Sequence, residues 1–117
     1  MITSGWSELL AEVTAVPGVR GALVVSADDG LVVHEAAMDG LPTADVAAFA
    51  AAVIQRALRL ADATALGAAR HLHLAARDGG LFLAAGPGPL WLVAVTEPAV
   101  ETGRLRLLLG DLASALG

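Results

Sequence analysis

Two histidines separated by one residue, His71 and His73, have the spacing in this chain that best suits metal binding. Side chains at positions i and i+2 of a strand project from the same face of a sheet, so both imidazoles could reach one ion. No carboxylate stands close in sequence to complete the ligand set, although Asp78 or His34 could come near in the fold. The alternative, which we favour, is that both histidines lie on a solvated or interfacial strand face and hold no metal.

Two other motifs resemble binding sites but are more typical of turns. Asp28 and Asp29 could bind calcium or serve acid–base chemistry. They precede Gly30, however, and aspartate is frequent in turns because its side chain hydrogen-bonds to nearby backbone. The segment 86–89, Gly-Pro-Gly-Pro, is a poor phosphate-binding loop because its prolines lack backbone N–H groups. We find no set of residues typical of an active site, and we predict a binding module rather than an enzyme, with no cofactor.

The composition excludes several classes of function. All seven basic residues are arginines and no cysteine occurs, which excludes Schiff-base lysines, thiolate nucleophiles and zinc–thiolate sites. The net charge of −5 disfavours binding to nucleic acid and to anionic membranes. With 56% hydrophobic residues and a mean hydropathy of +0.71, the chain has more apolar surface than a small monomer readily buries, which favours an oligomer.

The length of 117 residues predicts one domain spanning residues 1–117. The only long uncharged stretch, residues 79–96, is interrupted by the segment 86–89, so we expect a hairpin and no membrane insertion. The N-terminus lacks a positive region before an apolar core, so we expect no signal peptide and a cytoplasmic location.

Turn-forming residues divide the chain into eight predicted elements in the order α-β-β-α-β-β-β-α. Helices are predicted over residues 3–16, over residues 44–66, and from Pro98, in the first helical turn, to the C-terminal leucines. Strands are predicted over residues 19–26, 31–36, 70–77, 81–86 and 90–96. Consecutive strands joined by tight turns pair antiparallel, so this order indicates an α+β domain with five strands and three helices.

The middle helix has more apolar surface than contact with a single sheet requires. At roughly 100° per residue, the arc predicted to cover the sheet consists of Val46, Phe49, Ala50, Val53, Ala57, Leu60 and Thr64. A second apolar stripe lies beside it and consists of Ala47, Ala51, Ile54, Leu58 and Ala65. We predict that this stripe contacts a second copy of the chain, because its small alanines would allow close approach. The alternative is that the chain covers the stripe itself.

The remaining side of the middle helix is polar and carries Gln55, Arg56, Arg59 and Asp62. Such residues commonly serve only to solvate a helix. The functional interpretation is that the two arginines contact an acidic partner surface or a bound nucleotide.

Phrases along almost the whole chain, from about residue 5 to residue 116, match one known family. The phrase Pro-Gly-Val-Arg-Gly-Ala-Leu-Val-Val at 17–25, followed by Asp-Gly-Leu-Val-Val at 29–33, is fairly diagnostic. The alanine-rich helix 47–60 and the runs Leu-Phe-Leu-Ala-Ala at 81–85 and Leu-Trp-Leu-Val-Ala-Val at 90–95 agree as patterns. On these phrases the chain resembles the Roadblock/LC7 domain family, and within it the small bacterial MglB-like members.

The resemblance implies a profilin-like fold, with a five-stranded antiparallel sheet in the order 2-1-5-4-3. The first and last helices would cover one face and the middle helix the other. The resemblance also implies a homodimer formed through the middle helix and the third strand. The interface residues expected from these two elements are Ala47, Ala51, Ile54, Leu58, Leu72 and Leu74.

The function implied by the resemblance is regulation or scaffolding of a small Ras-like GTPase by a homodimer. Some bacterial relatives resemble GTPase-activating proteins that reposition the GTPase's own residues. The expected contact residues here are Arg56, Arg59 and Asp62, and no catalytic residue or arginine finger can be assigned. The main alternative is a structural dimerisation module of a larger complex that is indifferent to nucleotide. A metal enzyme built on the histidines and a small-molecule sensor are further hypotheses.

Overall fold

The computed structural model describes the backbone of residues 2–116 and the side chains of residues 5–116. Eight elements follow one another in the predicted order. They are α1 (Ile2–Thr14), β1 (Val19–Ser26), β2 (Val32–Ala36), α2 (Thr43–Ala63), β3 (His71–Ala76), β4 (Gly79–Ala85), β5 (Leu90–Thr96) and α3 (Thr102–Ala113). Within residues 2–116, no helix is both long enough and apolar enough to cross a membrane.

The five strands form one antiparallel sheet in the order β2-β1-β5-β4-β3, which confirms the predicted topology. Strand β1 is apolar along most of its length because it lies inside the sheet with helices on both faces. Gly30 has a φ of +73° in the turn between β1 and β2, a conformation that glycine adopts at little cost.

The sheet separates two apolar cores. Helices α1 and α3 pack on one face, where Leu10 of α1 and Leu105 of α3 are completely buried. Helix α2 packs on the other face, where Ile54 meets Leu23 and Val93 of the sheet in a second buried cluster. Successive residues of the inner strands pack into opposite cores because side chains alternate between the two faces of a sheet. The prediction of helices on both faces is therefore confirmed.

Helix α3 begins later than the sequence predicted. Pro98 lies in a turn rather than in the first helical turn, and the helix starts at Thr102. The backbone N–H of Glu97 donates to the carbonyl of Gly18 at 2.7 Å, and Val100 packs against Gly18 so closely that a Cβ there would lie 3.1 Å from the Val100 Cα. These contacts fix residues 97–100 as a separate turn. Proline suits both a turn and a helix start, so its presence did not decide between them.

Candidate functional site

The face of α2 that contacts the sheet is the stripe predicted to contact a second copy. Ala47 and Ile54 are completely buried and Ala51 is nearly so, all within the chain itself. Leu58 is half-buried against the same cluster. The prediction that Ala47, Ala51 and Ile54 form an outward dimer surface is therefore wrong, because these side chains fill the chain's own core.

Two contacts explain why this stripe of α2, and not the predicted one, faces the sheet. Gln55 donates from Nε2 to the carbonyl of Ala27 at 2.9 Å, which ties one flank of α2 to the end of β1. The same flank lies against the β1–β2 turn, where a Cβ on Gly30 would meet Ala48 Cα at 3.4 Å and Ala51 Cβ at 3.6 Å. The small alanines therefore let the helix approach the sheet and this turn closely, which the larger residues of the other stripe would prevent.

Much of the arc predicted to cover the sheet is exposed instead. Phe49 is 71% exposed, Val53 51% and Leu60 66%, and we call these three residues the outer ridge. Their spacing of four and seven residues places them on one side of the helix. Ala50 of the same arc is buried as predicted. Three large apolar side chains in a row on one helix are typical of a surface that binds another macromolecule.

The outer ridge continues onto a part of the sheet that α2 leaves uncovered. Helix α2 packs mainly across β1 and β2. On the same sheet face, Leu74 of β3 is 57% exposed and Leu72 is half-buried. A shallow groove of about 280 Å³ lies between the outer ridge of α2 and strand β3. It is lined only by alanine, leucine and glycine, including Leu60, Ala57 and Leu72. The flank of α2 toward β3 and the α2 face of β3 thus form one continuous apolar surface.

The two edges of the sheet differ in their ability to pair with another strand. The register of β2 against β1 shifts between Val24 and Val25, so the β2 edge is irregular and also carries Glu35. Strand β3 pairs with β4 without a shift from His71 to Ala76, and it contains no proline and no acid. Bulges and charges obstruct strand addition, whereas a straight edge permits it. The β3 edge is therefore the one suited to pairing.

The polar residues expected to contact a GTPase divide between two sides of α2. Arg56 is exposed and lies beside the outer ridge on the side of the helix away from the sheet, with Arg59 next to it. Asp62 is also exposed, on the flank toward Gln55, three residues beyond Arg59 and further from the outer ridge. Among residues 5–116, neither of these arginines forms an ion pair. The two guanidinium groups are thus free to meet an acidic surface, whereas Asp62 faces elsewhere.

The histidines His71 and His73 lie on the sheet face opposite α2. The His73 ring stacks on Phe82, with ring centroids 4.0 Å apart. The His71 ring packs against Gly110 of α3. Among the described residues, no group of three or more histidines, cysteines and acids is arranged to hold a metal ion. Asp78, the acid considered with them, accepts two hydrogen bonds from Arg77 and raises the pKa of that arginine above its ordinary value.

Two remaining polar motifs have local explanations. Asp29 accepts a hydrogen bond from the backbone N–H of Leu31 at 3.2 Å, as expected for a turn-forming aspartate. The Ser7 hydroxyl lies 2.9 Å from Nε2 of His34 on the exposed face of α1 and β2. A nucleophilic serine acts within a cleft, whereas this contact is exposed at the surface.

Comparisons with known proteins agree with this geometry. The family model of the Roadblock/LC7 domain matches residues 6–95. The fold is similar to a Roadblock/LC7 domain from Streptomyces avermitilis (18% identity, 93% of this chain and 92% of that chain covered, TM-score 0.84). It is also similar to the gliding protein MglB from Thermus thermophilus (20%, 98% and 87%, TM-score 0.89) and to an MglB structure described as a tetrameric arrangement (21%, 98% and 87%, TM-score 0.89). A search of curated protein sequences gave no match.

Proposed function

We propose that this chain, which belongs to the Roadblock/LC7 domain family, is a homodimeric regulator or scaffold of a small Ras-like GTPase. The observation that carries the proposal is the continuous apolar surface formed by the outer ridge of α2 and the neighbouring face of β3. The family resemblance supplies the class of partner. The role of the chain is to bind and position, and no catalytic group is assigned to it.

The dimer follows from the position of the apolar surface next to the straight edge of the sheet. A two-fold axis beside β3 would pair this strand with its copy and bring the two α2 helices side by side. The outer ridge, Leu72 and Leu74 would then be shielded from water together, which a lone chain does not achieve. The interface residues of α2 in this proposal are Phe49, Val53 and Leu60, in place of Ala47, Ala51 and Ile54.

The GTPase would bind the surface that the paired helices present to solvent. Arg56 and Arg59 lie on the side of α2 that points away from the sheet, so a two-fold axis would place four guanidinium groups on one platform. Arginine favours such contacts because its planar group binds carboxylates through two parallel hydrogen bonds. We assign both arginines to the GTPase contact and leave Asp62 outside it.

The dimer is tested by replacing Val53 with aspartate and measuring the mass by light scattering. The wild-type chain should have the mass of a dimer at micromolar concentration, and Val53→Asp that of a folded monomer, because an unpaired carboxylate is costly to bury. Ala44→Asp is the matched control, since Ala44 is exposed on the opposite side of α2 and should leave the dimer intact. A monomeric wild-type chain would overturn the dimer.

The partner is tested by calorimetry with small Ras-like GTPases from the same organism, loaded with either GDP or a non-hydrolysable GTP analogue. A regulator should bind the two states with different affinity, and Arg59→Glu should weaken binding while the dimer persists. Equal affinity for both states would favour the structural dimerisation module instead. Absence of binding in both states would reject the GTPase as partner.

A further inference from the structure

A cleft between α3 and β3 opens on the sheet face opposite α2, away from the proposed α2 contact and GTPase surface, although β3 also forms the pairing edge of the proposed dimer. Its inner part has a volume of about 170 Å³ and lies between the two histidines of β3 and Arg106 of α3. Its outer part has a volume of about 340 Å³ and extends past Arg70 toward Asp111. His71 and Arg106 line both parts, so we treat them as one feature, the α3–β3 cleft.

The α3–β3 cleft concentrates nitrogen donors in an acidic protein. It contains two of the three histidines and two of the seven arginines of a chain whose net charge is −5. Neither Arg70 nor Arg106 forms an ion pair among residues 5–116, although Asp111 lies at the outer end. Each imidazole can donate at least one N–H and each guanidinium several. The inner part of the cleft contains no carboxylate, so its electrostatic character favours an anion.

Each of the two imidazoles is exposed and packs against one neighbour on its inner side. Gly110 stands near the end of α3, where glycine is less favourable than alanine, and a Cβ there would lie 3.0 Å from Cε1 of His71. The glycine therefore makes room for this ring against the helix. His73 is held by its stack on Phe82, which is almost completely buried and forms part of an apolar floor. An apolar floor strengthens hydrogen bonds made above it.

We propose that the α3–β3 cleft binds a phosphate group, either free or carried by a small organic monoester. Arg106 and the two imidazoles would donate to its oxygens from α3 and β3, and Arg70 would supply a second charge at the entrance. A metal ion is disfavoured because the guanidinium of Arg106 would lie beside it. The site uses side chains of one chain only.

The test is an NMR titration of the full ¹⁵N-labelled chain with inorganic phosphate at fixed pH and constant ionic strength. Saturable shifts should appear at the backbone amides of residues 71–73 and 110 and at Nε of Arg106. A parallel titration with phenyl phosphate distinguishes the two sources of the group. Tighter binding of phenyl phosphate would assign an organic monoester, and equal binding would assign free phosphate. A response to acetate equal to that to phosphate would show only non-selective anion binding and overturn the proposal.

Two variants establish where the phosphate binds. Arg106→Gln should weaken binding about tenfold, because it removes charge-assisted hydrogen bonds. Arg104→Gln is the matched control, since Arg104 lies on the same helix, does not line the cleft and is paired with Glu101. Gly110→Ala should also weaken binding by displacing His71, while the melting temperature stays equal or rises. Unchanged phosphate affinity in both Arg106→Gln and Gly110→Ala, or no saturable shift in the wild-type chain, would refute the site.

Discussion

The orientation of α2 on the sheet predicts that substitutions of two adjacent residues affect stability very differently. Ile54 is completely buried, whereas Val53 is 51% exposed. Replacing a buried isoleucine with alanine removes three carbons and leaves a cavity, which costs about 2–5 kcal/mol. Truncating a half-exposed valine costs about 1 kcal/mol or less within a single chain. Ile54→Ala should therefore lower the free energy of unfolding by about 3 kcal/mol, and Val53→Ala by much less.

The measurement is urea unfolding followed by circular dichroism at several protein concentrations. With a slope of about 1.5 kcal/mol/M, the loss in Ile54→Ala corresponds to a midpoint about 2 M lower. That shift should be the same at every concentration because the lost contacts lie within one chain. The smaller effect of Val53→Ala should grow with concentration, since it would weaken the proposed dimer, whose association would add to stability. If Val53→Ala were the more damaging variant within the monomer, the assigned orientation of α2 would be incorrect.

Three further substitutions test separate parts of the fold. Gly79→Ala would place a Cβ in collision with the backbone oxygen of Thr96, so we expect a loss of about 1–3 kcal/mol and a lower melting temperature by differential scanning calorimetry. Trp6→Phe removes the indole N–H that donates to the carbonyl of Leu116 at 3.1 Å, which should cost about 1 kcal/mol in chemical unfolding; an unchanged midpoint would show that this bond contributes nothing. Asp78→Asn breaks an ion pair whose side chains are 91% and 79% exposed, so its melting curve should overlay that of the wild-type chain in both low and high salt.

The fold was predictable because local signals and the global arrangement agree. Glycines and prolines mark the turns, and the short apolar runs between them match the five strands, so the antiparallel pairing of consecutive strands followed from local signals. The pairing of β1 with β5, which are far apart in the chain, did not follow from these signals and was expected only from the family resemblance. The sequence was less informative for α3, where Pro98 is compatible with both a turn and a helix start. The contact of Val100 with Gly18, far apart in sequence, decides between them.

The excess of apolar residues on α2 was predictable from the sequence, but which of them lie exposed was not. Two neighbouring stripes of the helix are apolar, and helical periodicity alone does not say which one meets the sheet. Tertiary contacts decide which stripe meets the sheet. They are the hydrogen bond from Gln55 to the carbonyl of Ala27 and the close approach of the alanines near Gly30 to the β1–β2 turn. Residue size was the available signal, because alanines suit a helix that lies directly on a sheet. Ala47 and Ala51 lie on the sheet side, whereas Phe49 and Val53 lie on the exposed side, although Ile54 shows that size alone does not decide the orientation.

The register shift in β2 has a consequence for how far assembly can proceed. A sheet with two regular borders could recruit one chain after another and grow into a fibre. Here the β2 edge is irregular because the register of β2 against β1 shifts. Only the β3 edge is therefore regular enough to accept a strand from another chain. In the proposed dimer, ten strands would end in an irregular β2 edge on each side, which would leave no regular edge for further strand addition.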